Sequence, residues 1–119
     1  MPYRCQNPEA YLGNSYGSGH CVPFVQMCAG APQTKLWKQG SRVRSNAHLA
    51  KGTAIATFKD GKYQNAITGN HAAIFISQDD TGIWVYDQYL GVAVDKRHIR
   101  FNGGVGSMSR DADTFYVIE

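Results

Sequence analysis

Residues 16–30 read YGSGHCVPFVQMCAG. Cys21 follows Gly17-Ser18-Gly19-His20 directly and opens a run in which Phe24, Val25 and Cys28 fall at i, i+1 and i+4, one face of a helix. Pro23 is tolerable only in a first turn, and Gly30 with Pro32 stops the segment, so the spacing predicts a helix over 21–29 with the cysteine at its start. A helix N-terminus favours the thiolate through its unpaired amides and dipole, and the thiolate is the nucleophilic form. Gly17 and Gly19 let the backbone turn tightly and come close to a substrate carbonyl, with the amide of Cys21 itself a donor to a developing oxyanion. A free cysteine taken alone is usually inert core, but this one is placed to attack an amide.

Beyond the helix, 31–51 shows no sustained period and many turn formers, which predicts a long irregular connection with one helical turn near Leu36 and Trp37. From Lys51 the pattern becomes strands. GTAIATF (52–58), HAAIFIS (71–77), GIWVYDQY (82–89), VAVDKRHI (92–99) and TFYVIE (114–119) are β-branched and aromatic runs separated by Gly, Asp and Asn turns. The expectation is an α+β fold, one N-terminal helix packed on an antiparallel sheet of about five strands, with 1–119 forming one domain.

A nucleophilic thiol needs a base, and His71 begins the second of these strands after Thr68-Gly69-Asn70. Asp87, near the end of the next strand, would lie beside His71 in the hairpin and orient its imidazole. Gln88 is the adjacent alternative, but side chains alternate along a strand, so only one of the two can reach the ring. Asp87 is preferred because a carboxylate also stabilises the imidazolium formed during attack. Tyr16, Gly19, His20 and Gln88 make up the expected substrate and oxyanion neighbourhood, and His20 is the rival base only through its adjacency to Cys21 in sequence.

The totals exclude several classes. The net charge of +3 is spread along the chain, with only Arg42, Arg44 and Lys51 loosely grouped, and KLWKQGSRVRSN lacks a second aromatic platform for stacking bases. A small basic nucleic-acid binder is therefore disfavoured. No segment reaches the length of a membrane span, and the N-terminus has no secretory pattern. The three cysteines have no metal-type spacing, so neither metal nor cofactor is expected; a Cys5 to Cys28 bridge stays open, with Cys28 read as packing.

These motifs resemble a family. GHCVPFV, KGTAIATF, GNHAAIFI and IWVYDQY look like, in order, the cysteine segment, the following strand, the histidine strand and the strand of the third polar residue in CHAP-type and NlpC-type papain-like cysteine amidases, over residues 11–101. This chain has Val22-Pro23 where the family often has Trp or Ser, and Gly52-Thr53 where it commonly has Gly-Asp. The resemblance implies a papain-like fold, Cys21 as nucleophile, His71 as base, Asp87 as orienting residue, and peptidoglycan peptides as the commonest substrate class. It is nearest to small bacterial members without a signal, a group that includes amidase toxins exported by type VI secretion to act in a target periplasm. It thus implies a monomeric enzyme with a cognate immunity protein as its partner. The competing function is a catalytically silent papain-like binding module, against which an intact Cys21, His71 and Asp87 speaks.

Overall fold

A computed structural model of the protein describes residues 2–119. Helix α1 spans Cys21–Ala29, and the strands are β1 (Gln39–Arg42), β2 (Ala54–Thr57), β3 (Ala72–Gln78), β4 (Gly82–Tyr89), β5 (Val92–Arg100) and β6 (Phe115–Ile118). They form one antiparallel sheet in the order β1-β6-β2-β3-β4-β5.

The helix ends where the sequence says. Gly30 takes the left-handed conformation (φ 72°) and its amide donates to the Gln26 carbonyl at 2.9 Å, closing the last turn. Phe24 and Val25, both fully buried, face the sheet. There they meet Ala54, Ala56, Ala72 and Ile74, and the three alanines leave room for the helix axis to approach the central strands. The alternate residues Ile55, Ala73, Phe75, Val85 and Phe115 form a second core on the opposite face, covered by the segments carrying Val43, Leu49, Phe101 and Ala112. β2 is consequently buried at every position, as befits a strand with a core on each side.

One strand was not expected. β1 lies inside the stretch read as irregular, and the sheet has six strands rather than about five. Gln39-Gly40-Ser41-Arg42 is short, polar and mostly exposed, with no alternation to reveal it. It is a strand because β6 offers it an open edge, Gln39 facing Ile118 and Arg42 facing Tyr116.

Cys5 and Cys28 are bonded to each other, so Cys28 is not a packing thiol; their Cα atoms are 5.0 Å apart. The bridge fastens the N-terminal segment, whose Cys5 amide also donates to the Gly52 carbonyl at 2.8 Å, to the last turn of α1. With the two positions separated by 23 in sequence, its removal in a Cys5→Ser, Cys28→Ser double variant is expected to lower stability by about 3 kcal/mol, roughly 10 °C in Tm. Thermal denaturation checks this; an unchanged Tm would mean that the bridge constrains nothing the sheet does not already hold. Among the described residues, no helix is long and apolar enough to cross a membrane.

Candidate active site

The three residues expected to act together meet at one place. Cys21 opens α1 as the single free and half-buried thiol, and α1 rests against β3 and β4. His71 immediately precedes β3 and is 6% exposed, its backbone fixed by Thr57, whose amide and hydroxyl both bond the His71 carbonyl and whose Oγ1 accepts the His71 amide at 3.1 Å. Asp87 lies on β4, 2% exposed, and its Oδ2 is 2.7 Å from His71 Nε2. An ionised carboxylate only accepts, so Nε2 carries the proton and Nδ1 is left for the thiol. His20, the rival, caps the helix start as an exposed residue.

Arg97 on β5 completes the line and was missed by sequence reading. Its Nε and Nη2 both donate to Asp87 Oδ2, at 3.0 and 2.5 Å. Arg97 Nη2 also stands 3.2 Å from His71 Nε2, but both atoms are donors, so this is a contact across the shared oxygen rather than a hydrogen bond. Burial alone would raise the Asp87 carboxyl; the His71 and Arg97 hydrogen bonds and charges outweigh it and hold the group below its ordinary value. Burial likewise opposes charging His71, yet its bonds to Asp87 and Cys21 push it up to about 9. The Cys21 thiol moves the other way. Burial raises it, but the His71 hydrogen bond and charge, the Ala72 amide and the Tyr63 hydroxyl bring it below its ordinary value. All three directions favour a thiolate beside an imidazolium.

Gln88 bonds the turn before the helix rather than His71. It is fully buried on the other face of β4, where its Oε1 accepts the Tyr16 amide at 2.9 Å and its Nε2 donates to the carbonyls of Tyr16 and His20 at 2.8 and 2.7 Å. With both ends engaged, it has nothing to offer an oxyanion or the imidazole, and it acts instead as the clasp that holds the 16–20 turn in front of α1. Tyr16 packs its ring on Tyr11 and Phe24. Gly19 sits at φ +88° beside Leu90, a backbone conformation that suits glycine.

Tyr63 hydroxyl stands 3.8 Å from Cys21 Sγ, and the same residue lines a cavity of about 480 Å³ with Trp37, Lys35, Lys62, Thr34 and Asn65. Neither this cavity nor a larger concavity of about 570 Å³ between Arg44, Phe75, Asp79 and Phe101 is lined by Cys21, His71 or Asp87.

An antiparallel sheet with a thiol at the start of the helix packed on it, and a His just before one strand paired with an Asp on the next, defines a papain-like cysteine hydrolase architecture. Over its whole length this chain superimposes with a TM-score of 0.90 on 95% of a solved type 6 secretion amidase effector 2, at 36% identity. It is 38% identical to a type VI secretion amidase effector 2 protein of Salmonella typhi, covering all of both chains. It is also 38% identical to a domesticated amidase effector 2 of Ixodes scapularis, over 97% of this chain and 83% of that one. The family model described as Domesticated amidase effector 2 matches residues 1–118, and the chain belongs to that family.

Proposed function

We propose that this protein is a cysteine amidase that hydrolyses amide bonds of peptidoglycan peptides through an acyl-enzyme on Cys21, with His71 as base and acid and Asp87 as the orienting group. The observation that carries it is the Cys21, His71, Asp87 line, in a chain of the amidase effector family. The thiolate attacks the amide carbonyl, the carbon–sulfur bond forms and the carbonyl electron pair moves to oxygen. Collapse breaks the carbon–nitrogen bond as the His71 imidazolium gives its proton to the departing amine. Water, deprotonated by the now neutral His71, then cleaves the thioester and restores the thiol. Thiol and imidazole suffice for each step, so the scheme asks for no metal or cofactor.

Residues 1–119 act as one catalytic domain and as a monomer in this reading. The type VI secretion named for its relatives suggests delivery into the periplasm of a target cell, with a cognate immunity protein guarding the producer. Incubation of the purified protein with peptidoglycan, followed by mass spectrometry, tests the activity: new peptide fragments bearing a freed amine and carboxylate are expected. Products that lose only a side-chain amide would redirect the reading to deamidation. Binding without any product would leave the silent module as the answer, and association with nucleic acid alone would reject both.

A further inference from the structure

Amide cleavage through a tetrahedral intermediate needs two donors aimed at the developing oxyanion. The Cys21 amide is one, since the first amides of a helix have no carbonyl partner within it. Gln88, which sequence reading placed in this neighbourhood, has both ends of its amide engaged elsewhere. The second donor must come from another element.

The loop between β2 and β3 supplies one. Asn70 Oδ1 accepts the Ala66 amide at 2.7 Å, which fixes the orientation of the carboxamide and turns Nδ2 toward Tyr63. Nδ2 donates to the Tyr63 hydroxyl at 3.0 Å. With that lone pair occupied, the hydroxyl proton is free to point away from Asn70, and the next polar atom is Cys21 Sγ at 3.8 Å. Tyr63 is only 8% exposed, and its ring is braced against Trp37 at a centroid distance of 4.8 Å, so the hydroxyl is held in place. A donor in loose contact with the sulfur of the free enzyme is positioned for an oxygen that forms two bonds beyond it, on the carbon the sulfur attacks.

We propose that Tyr63 is a further catalytic residue, the side-chain donor of the oxyanion site, and that Asn70 is the positioning residue that aims its proton. The assignment rests on the amidase reading above. During attack no proton moves to the substrate oxygen: the carbonyl electron pair becomes the oxyanion, Tyr63 and the Cys21 amide share its charge, and both keep their protons when it collapses.

The test separates charge stabilisation on oxygen from effects on sulfur. Tyr63→Phe is expected to lower kcat about 100-fold with KM changed only a few-fold. It should weaken a peptide aldehyde, whose adduct with Cys21 carries the same oxygen, by a similar factor. Alkylation of Cys21 by iodoacetamide, which builds no oxyanion, should change by less than about threefold. Asn70→Ala, which keeps the ring and hydroxyl, should lose about tenfold in kcat and in aldehyde affinity, and it is the decisive variant if Tyr63→Phe does not fold. The proposal is overturned by near-wild-type kcat and aldehyde affinity, or by alkylation that falls in step with them, which would make Tyr63 a partner of the thiolate only. Failure of the underlying reading looks different: Cys21→Ala would still turn over, or still bind the aldehyde as tightly as the wild type.

Discussion

Replacing Cys21 by alanine is expected to abolish turnover, a loss of roughly 10⁴-fold or more in kcat, while Tm moves by only a few degrees. The two parts of this expectation come from different features. The thiol carries the covalent step, so nothing else in the site replaces it. It is a small, half-buried side chain at the edge of the core, and its polar contacts are Tyr63 and His71, so its packing contribution is on the order of 1 kcal/mol. The same thiol should be the one alkylated in the folded, unreduced protein, since Cys5 and Cys28 are bonded to each other. Mass mapping of the labelled peptide checks this, and label on Cys28 under those conditions would contradict the bridge. The pH dependence of kcat/KM is expected to show two limbs. The alkaline limb should fall near pH 9, where His71 loses the proton that Asp87 and Cys21 help it hold. On the acid side, activity fades where the thiol, brought below its ordinary value of 9.0, becomes protonated.

Replacing Asp87 by alanine is expected to cost about 10³-fold in kcat and to shift the alkaline limb downward. The imidazolium loses the carboxylate that raises its pKa, and the ring loses the acceptor that keeps Nδ1 turned to the thiol. Arg97 is left beside the ring without its counter-charge, which disfavours the imidazolium further. Asp87→Asn, which keeps an acceptor but not the charge, should fall between wild type and alanine. Gln88→Ala should act differently, lowering Tm through the three hydrogen bonds it leaves open and reducing activity only as far as the 16–20 turn loosens. Should Gln88→Ala cripple turnover at an unchanged pH profile while Asp87→Ala stays active, the roles assigned to the two faces of β4 would have to be exchanged.

The same groups link stability to pH. His71 binds its proton more tightly folded than unfolded, so its contribution is complete below its ordinary 6.5 and is lost as pH rises to about 9. Asp87 is depressed on folding, so its contribution is present above its ordinary 3.8 and is lost as pH falls through its folded value. Cys21 is depressed as well and offsets part of the His71 loss on the alkaline side.

Local patterns determined a good deal. Helix α1 was legible to the residue because Pro23, the apolar spacing and Gly30 are all local signals, and five of the six strands were legible from β-branched alternation and turn residues. That only one of Asp87 and Gln88 can reach the ring followed from the two-residue period of a strand and the preference for Asp87 from the charge of a carboxylate, while the pairing of Ile74 with Tyr86 sets the register that brings Asp87 to His71. What tertiary structure alone decided has a common cause: it depends on contacts between segments far apart in the chain. β1 became a strand only because β6 inserts between it and β2, leaving an edge for three polar residues and a glycine to pair with. Cys5 found Cys28 because the N-terminal segment runs beside the end of α1. Arg97, Tyr63 and Asn70 entered the site by register and loop closure, with nothing in their own neighbourhoods to distinguish them from solvated or core residues. Side-chain type and local period belong to the sequence by itself, whereas the partner of a buried polar group is fixed only when distant strands have been packed together.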